Sequence, residues 1–404
     1  RNLEIAAEKS LRSRSNNIIL PCQGYIMKKT RIVTKKIIKN LHLKASEELL
    51  GLVGSQKKKR SITKRKGQKN AQHSVLVKHE GNPILSPHKE NNWESYQTFN
   101  PAAIYEGGKV HLLYRAIGGN GLSVVGYASS RDGMNIEERA TDPVYIAIHP
   151  RKKHNITKPI HYSSGGSWGG CEDPRAVTIG DRIYMTFVAF DGWGSVRMAL
   201  TSIDLNDFLA KKWKWKRPML VSPPWEIHKN WVLFPEKIKG KFAILHSISP
   251  KILVDYFDNL DTFDDRPYIK SHHGQTTNNG QWDNWVRGAG PPPIKTPYGW
   301  LLLYHAMDKS DPNRYKLGAM ILDKNDPTKI LHRSKQPILE PDESYENEGH
   351  KAGVIYSCGA VVVKDKLFVY YGGADTVVCV ATADLETFLN TLAHSQEPKL
   401  KRIR

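Results

Sequence analysis

The sequence has few cysteines and no long apolar run, and both shortages narrow the class of protein. Its 404 residues include four cysteines, and no two of them form a C-x-x-C pair. Cysteines this sparse exclude a disulfide-rich secreted scaffold and favour a reducing compartment. No run of about 18 apolar residues predicts a membrane-spanning helix, and the N-terminus lacks the apolar core of a signal peptide. We therefore expect a cytoplasmic protein with no membrane partner.

The formal charge of +20 is concentrated at the N-terminus. Residues 1–72 contain 19 Lys and Arg against four Glu, whereas the rest of the chain contains 41 basic and 36 acidic side chains. The basic segment has few aromatic residues, which is typical of a solvated tail. We expect a basic, largely disordered extension over 1–75 and a basic tail over 396–404. A nucleic-acid partner is the less favoured interpretation, and an upstream extension ending before Met27 is a further alternative.

Five hairpin patterns recur from about residue 95, each an apolar stretch, a short polar turn and a stretch rich in β-branched and aromatic residues. A third apolar stretch follows each hairpin and runs into an acidic turn. The hairpin turns are 73, 60, 59 and 65 residues apart. This period, without alternating helices, favours propeller blades over βαβ units. The hairpins cover 102–114, 176–187, 236–245, 293–304 and 360–371.

The repeats predict an all-β fold, a five-bladed β-propeller over residues 76–395, with a β-sandwich as the alternative. Long helices are not expected, apart from the N-terminal segment and residues 385–392. Radial repetition would bring the polar clusters between the hairpins to one end of a central axis. No metal site is predicted, because the tandem pair His272-His273 lacks ligand spacing and no cysteine cluster accompanies it.

Four of the polar clusters, in their order along the chain, carry a family resemblance. They are Glu172-Asp173-Pro174-Arg175, Phe234-Pro235-Glu236-Lys237, Gly290-Pro291-Pro292-Pro293 and Tyr371-Gly372-Gly373-Ala374-Asp375-Thr376. This set resembles glycoside hydrolase family 130, the β-mannoside phosphorylases and related β-mannosidases. The resemblance extends over residues 80–390, and several motifs in register are a specific signal.

The resemblance implies that a single aspartate, here Asp173, is the general acid. A carboxyl in this role needs a pKa high enough to hold its proton, which burial near Glu172 is expected to supply. The implied route passes the proton through the 3-hydroxyl of the mannosyl unit to the glycosidic oxygen. Inorganic phosphate then attacks the anomeric carbon from the opposite face and releases α-mannose 1-phosphate. The implied partners are a β-mannoside oligosaccharide and phosphate, with no cofactor, and a homo-oligomer remains open.

The same resemblance implies two groups of binding residues. Sugar contacts are expected from Asn100, Arg115, Glu172, Arg175 and Asp375, and phosphate contacts from Lys229, Asn230, Arg287, His305 and Tyr315. Simpler alternatives exist: Asp173 as a turn residue before Pro174, Arg175 as the ion-pair partner of Glu172, and His305 as a core histidine.

The phosphate site departs from the family pattern at two positions. The lysine that the family carries before the glycine and proline run is not clearly present, although Arg287 lies near that position with an offset of one residue. Ser247 follows His246, where the phosphorylases usually carry an arginine. A β-mannosidase is therefore the second hypothesis, and it requires another carboxylate to activate water, for which Glu346 or Glu348 is the candidate. A non-catalytic sugar-binding propeller is the third.

Overall fold

The computed structural model describes residues 76–147, 165–190, 196–272, 274 and 281–394. The basic extension and the basic tail expected from the sequence lie outside these residues. The described part consists mainly of β-strands, so the predicted all-β class is confirmed.

The strands and helices follow one another along the chain with short connections. The strands are β1 (Val77–Lys78), β2 (Gln97–Glu106), β3 (Lys109–Ile117), β4 (Leu122–Ser130), β5 (Glu138–Arg139), β6 (Gly169–Ile179), β7 (Arg182–Phe190), β8 (Val196–Asp204), β9 (Met219–Leu220), β10 (Val232–Leu233), β11 (Phe242–Ser247), β12 (Leu253–Phe257), β13 (Trp285–Ala289), β14 (Ile294–Thr296), β15 (Gly299–Asp308), β16 (Asp311–Leu322), β17 (Ile330–Arg333), β18 (Ile355–Val363), β19 (Lys366–Gly373) and β20 (Val377–Asp384). The helices are α1 (Leu205–Leu209), α2 (Ser344–Asn347) and α3 (Leu385–His394), with a 3-10 turn at Phe263–Asp265.

The strands form five antiparallel units in chain order. Unit 1 is β2 to β5, unit 2 is β6 to β9, unit 3 is β10 to β12, unit 4 is β13 to β17, and unit 5 is β18 to β20. Units 1 and 2 are joined into one eight-stranded sheet, because β4 and β6 pair in parallel where Leu122 opposes Gly169. Unit 5 is completed from the other end of the described chain, since Val77 of β1 opposes Thr382 of β20.

Apolar side chains pack between successive units rather than in one central layer. Each of the five hydrophobic clusters is built from two neighbouring units. The cluster between units 1 and 2 contains Leu113 and Phe187, for example, and the cluster between units 5 and 1 contains Phe368 and Leu112. Alternate residues of each strand face opposite neighbours, as the two-residue side-chain period of a strand requires.

Most of the predicted strands are present, and the exceptions have a physical reason. The hairpin predicted at 236–245 has its first strand at Val232–Leu233 instead, and only Ile238 pairs with Lys241 near the turn. In unit 4 the sequence analysis missed β13. This strand has only five residues, and one of them is Gly288, which has a low β propensity. Helix α3 confirms the helix expected at 385–392.

Candidate active site

The first strand of two neighbouring units carries the same bulge, and this bulge sets the direction of the site residues. Three residue steps along β2, from Phe99 to Ala102, oppose two steps on β3, and the same irregularity occurs in β6 between Glu172 and Arg175. The bulged residues Asn100 and Asp173 both have a φ of 48°. Asn and Asp tolerate this left-handed conformation better than other side chains do, and each is followed by proline, which cannot donate to the ladder.

A cavity of about 440 Å³ lies where these bulges meet. It is lined by residues from all five units and from the connections between them. Eight of the residues predicted for the site line it: Asn100, Arg115, Asp173, Lys229, Asn230, Arg287, Tyr315 and Asp375. A buried pocket with convergent polar groups is the usual form of a small-molecule site.

One wall of the cavity is organised around Arg115. Its guanidinium lies 3.1 Å from Asp173 Oδ1 and 3.0 Å from Glu172 Oε1. Asn100 Nδ2 donates to the same Asp173 oxygen at 2.8 Å. All of these side chains are almost fully buried, and the hydroxyls of Ser123 and Ser167 accept the remaining Arg115 donors. Because each charge is paired and hydrogen-bonded, the wall is held in one arrangement before any ligand enters.

The protonation of the two cavity aspartates differs from the sequence-based expectation. Burial raises the pKa of Asp375, and the neighbouring charge of Asp173 raises it further. Burial also disfavours the charged form of Asp173, but the charges of Arg115, Arg175 and Lys229 outweigh it and lower the pKa of that carboxyl. The expectation that burial near Glu172 raises the pKa of Asp173 is therefore not met, because three cations surround the carboxylate and lower its pKa.

Arg175 lies beneath the cavity and ties two units to the site. Its Nε donates to the Gly290 carbonyl at 2.9 Å, and its terminal nitrogens donate to the Asp173 carbonyl and to Asn230 Oδ1, each at 2.9 Å. Asn230 in turn donates to the Arg287 carbonyl at 2.9 Å. Arg175 is fully buried and does not line the cavity, so this geometry suits positioning of Asp173 and Asn230 better than direct sugar contact. The alternative of an Arg175 ion pair with Glu172 is not what the structure has, since Glu172 pairs with Arg115 and Lys229.

His305 lies behind a residue that the sequence analysis missed, Tyr356. The two rings stack with centroids 3.9 Å apart and an angle of 11° between their planes. Tyr356 lines the cavity and donates to Asn230, whereas His305 is fully buried and its Nε2 accepts from the Ser357 N–H at 2.9 Å. Burial lowers the pKa of His305 to about 3, so the ring is neutral near neutral pH. In this arrangement, a neutral ring behind Tyr356 does not supply a positive charge to the cavity.

Three cationic side chains also line the cavity, and two of them lie against aromatic rings. Arg287 contacts the rings of Trp285 and Tyr315, with its guanidinium carbon 5.1 Å and 5.8 Å from their centroids. Lys351 Nζ lies 4.4 Å from the Tyr315 ring centroid. Among the described residues, neither Arg287 nor Lys351 has a carboxylate within ion-pair distance. The third, Lys229, lies 3.3 Å from Glu172 Oε2. The sequence analysis missed Lys351 because no motif distinguishes it in the connection before β18.

Neither candidate for a second catalytic carboxylate lies in the cavity. Glu346 is fully buried elsewhere, where its carboxylate pairs with Lys78 and accepts the Tyr371 hydroxyl at 2.9 Å and two backbone N–H groups. Glu348 is exposed. The assignment of either residue to water activation is therefore wrong. Ser247 is buried and donates to the Ser249 carbonyl at 3.1 Å, and it does not line the cavity either.

Two features are absent from the described residues. No group of three or more His, Cys, Asp or Glu side chains there could hold a metal ion. No helix in that part of the chain is long and apolar enough to cross a membrane.

Known proteins are similar to this chain over most of its length. A family model described as beta-1,4-mannooligosaccharide phosphorylase matches residues 67–394. The chain belongs to glycoside hydrolase family 130. This membership confirms the family that the four sequence motifs indicated.

Individual members of the family are similar over most of the chain. The 1,2-beta-oligomannan phosphorylase of Thermoanaerobacter sp. (strain X514) is 40% identical over 75% of this chain and 95% of its own length. A beta-1,2-mannobiose phosphorylase of the same organism is 38% identical over 77% and 98%. The solved beta-1,2-mannobiose phosphorylase of Listeria innocua, in complex with β-1,2-mannobiose, superposes with a TM-score of 0.61 at 25% identity, covering 78% of this chain and 99% of that one.

Proposed function

We propose that this chain is an inverting β-mannoside phosphorylase that transfers the terminal mannosyl unit of β-1,2-linked manno-oligosaccharides to inorganic phosphate. Phosphorolysis of β-mannosidic bonds is the activity of the relatives, and those at 38% and 40% identity act on β-1,2 linkages by their names. The family description names β-1,4 linkages. The β-1,2 linkage is therefore the more specific part of the proposal, and it rests on the names of these two relatives.

The observation that carries the proposal is that one cavity contains both a buried carboxyl group and several cations. The carboxyl group of Asp173 is held by Asn100 and Arg115, and Lys229, Arg287 and Lys351 line the same cavity. The carboxyl group suits a mannosyl unit that needs a proton donor. The cations suit a phosphate dianion, because several cations in one site bind an anion far better than one exposed charge does.

The proposed reaction uses Asp173 as the proton donor. Its proton passes to the 3-hydroxyl of the mannosyl unit, whose own proton passes to the glycosidic oxygen as the bond to the anomeric carbon breaks. A phosphate oxygen forms the new bond to that carbon from the opposite face. The hydrogen phosphate ester then returns one proton to the Asp173 carboxylate, so the enzyme is regenerated and no second carboxylate has to activate water.

Bound phosphate is expected to raise the pKa of Asp173. The cations around Asp173 lower its pKa. An anion bound against Lys229 compensates part of this positive potential, and the pKa of Asp173 then rises. Proton donation is thus favoured when the nucleophile is in place, which suits a phosphorylase.

We also propose that the five units close into a five-bladed propeller. The support is the order of the hydrophobic clusters, which lie between units 1 and 2, 2 and 3, 3 and 4, 4 and 5, and 5 and 1. Pairing of β1 with β20 within unit 5 is the kind of contact that joins the two ends of such a ring.

The proposal is tested by the phosphate dependence of disaccharide turnover. The chain is incubated with β-1,2-mannobiose or β-1,4-mannobiose, with and without phosphate, and the products are separated by anion-exchange chromatography. We expect α-mannose 1-phosphate from the β-1,2 substrate only when phosphate is present. Free mannose released at the same rate without phosphate would instead establish a hydrolase, and preference for the β-1,4 substrate would overturn the linkage assignment alone.

A further inference from the structure

The connection between β9 and β10 exposes an unusually large apolar side chain near the cavity. Trp225 is 91% exposed, and Ile227, two residues later, is 56% exposed. Ile227 also lines the cavity, as do Lys229 and Asn230 further along the same connection. The exposed apolar surface is therefore continuous with the site through one short segment and is not an isolated surface residue.

This segment is held rigidly although it protrudes. Pro223 and Pro224 precede the tryptophan, and proline restricts the backbone on both sides of each residue. On one side of the protrusion the Val221 N–H donates to the Met198 carbonyl at 2.9 Å, and on the other the His228 N–H donates to the Val196 carbonyl at 3.0 Å. A backbone restrained in this way loses little conformational entropy when a ligand binds to the side chains that it carries.

The backbone at Trp225 is strained. Its φ is 68°, in the left-handed region that bulky side chains rarely adopt. Such conformations persist only where the surroundings impose them, and they cluster at ligand-binding sites. The strain therefore adds to exposure and rigidity as an independent sign of a binding role.

We propose that Trp225, together with Ile227, forms a stacking platform for a mannosyl unit two or more positions to the reducing side of the bond that is cleaved. This inference rests on the proposed function, which places the terminal mannosyl unit against Asp173 and directs the rest of the oligosaccharide out of the cavity. A pyranose ring presents an apolar C–H face, and the flat indole offers a matching surface with a polar N–H at its edge. The platform selects chains longer than a disaccharide.

The test compares substrates of increasing length in variants of the full chain. Specificity constants are measured with saturating phosphate for β-1,2-linked mannobiose, mannotriose and mannotetraose. In Trp225→Ala we expect the value for mannotetraose to fall about tenfold, equal to the loss of one aromatic contact, while that for mannobiose changes less than about twofold. Trp225→Phe keeps a flat ring and should retain most of the preference for the longer substrate.

The matched control is Tyr105→Ala. Tyr105 is also an exposed aromatic residue, but it lies at the end of β2 remote from Asn100, next to the hairpin turn at Gly107. We expect it to leave the ratio of specificity constants for mannotetraose and mannobiose unchanged. An unchanged ratio in Trp225→Ala, an equal fall in Tyr105→Ala, or a Phe variant as impaired as the Ala variant would each overturn the platform.

Failure of the platform is distinguishable from failure of the proposed function. If the wild-type chain cleaves no mannobiose in the presence of phosphate, the proposed function is refuted. Calorimetric titration of mannobiose and mannotetraose into wild type and Trp225→Ala then still tests the platform by the ratio of affinities. A tetraose preference lost in the variant would support it, and equal ratios would refute it.

Discussion

Two sets of buried carboxylates occur in this molecule, and they differ in what faces them. Glu94, Asp283 and Glu346 lie within units 1, 4 and 5, each hydrogen-bonded by a tyrosine hydroxyl and paired with a cation. Asp173 and Asp375 lie in the central cavity and are reached by residues from other units. Both sets are almost fully buried, so burial alone does not identify a catalytic carboxylate.

The first set is a repeated structural device, which we call the tyrosine clamp. In units 1 and 4 the clamp has a tyrosine on the middle strand, Tyr114 or Tyr304, packed flat against a glycine on the next strand. A Cβ on Gly126 or Gly318 would lie 2.3 Å or 2.4 Å from the tyrosine ring. An arginine from the outer strand, β5 or β17, completes each clamp. In unit 5 the clamp has Tyr371, Glu346 and Lys78, with Cys379 in place of the glycine.

The comparison explains one error of the sequence analysis. Glu346 is as buried as Asp173, but it does not line the cavity. Its carboxylate accepts from Tyr371, from Lys78 and from two backbone N–H groups. Asp173 keeps a face open to the cavity. What distinguishes a reactive carboxylate here is an open face beside converging cations, and four substitutions can break or sharpen this distinction.

The largest effect is expected for Asp173→Asn. The amide keeps the size of the side chain but cannot donate a carboxylic proton, so we expect kcat to fall about 10³-fold. The free energy of unfolding should fall only moderately, because the amide oxygen can still accept from Asn100 and Arg115 keeps its ion pair with Glu172. Steady-state rates and urea denaturation measure the two quantities. A variant that retains a tenth of the wild-type rate would remove Asp173 from the acid role.

The opposite pattern is expected for Glu346→Gln. Loss of the buried charge leaves Lys78 and two backbone N–H groups with poorer acceptors, which should lower the free energy of unfolding by about 3 kcal/mol. The value of kcat at a temperature where the variant is folded should stay within about twofold of wild type. The same denaturation and rate measurements apply. A large loss of kcat with unchanged stability would place Glu346 in the catalytic set after all.

A smaller effect is expected for Tyr304→Phe. The substitution removes only the hydroxyl that donates to Asp283 at 2.6 Å and leaves the ring packed on Gly318. Because Arg333 still pairs with Asp283, we expect a loss of about 1 kcal/mol in the free energy of unfolding. Tyr114→Phe, which removes the matching bond to Glu94, is the internal comparison. Markedly unequal losses would show that the two clamps are not equivalent.

The subtlest prediction concerns the pH dependence set by Lys229. Its charge helps to lower the pKa of Asp173. In Lys229→Met that pKa rises, the acid keeps its proton to higher pH, and the alkaline limb of the kcat profile at saturating phosphate moves to higher pH. Lys216→Met is the control, because Lys216 pairs with the exposed Asp261 away from the cavity. A shift toward lower pH, or an equal shift in the control, would contradict the assignment.

The sequence alone predicted the repeating unit and most of the residues that meet in the cavity. Apolar stretches rich in β-branched and aromatic residues on both sides of a short polar turn marked the hairpins, because this signal is local. Family motifs then indicated roles that composition could not. The tyrosine clamps were missed, since each joins a middle strand to a carboxylate 20, 21 or 25 positions earlier in the chain, outside the hairpin that contains the tyrosine.

Only the tertiary structure decided how the individual groups are used. It placed Tyr356 and Lys351 in the cavity, moved His305 behind a tyrosine and gave Glu346 a structural partner set. It also decided which cavity aspartate has the lower pKa, because that depends on the direction of Arg115, Arg175 and Lys229. Charge interactions and burial depend on distances between residues remote in sequence, and local pattern carries no information about those distances.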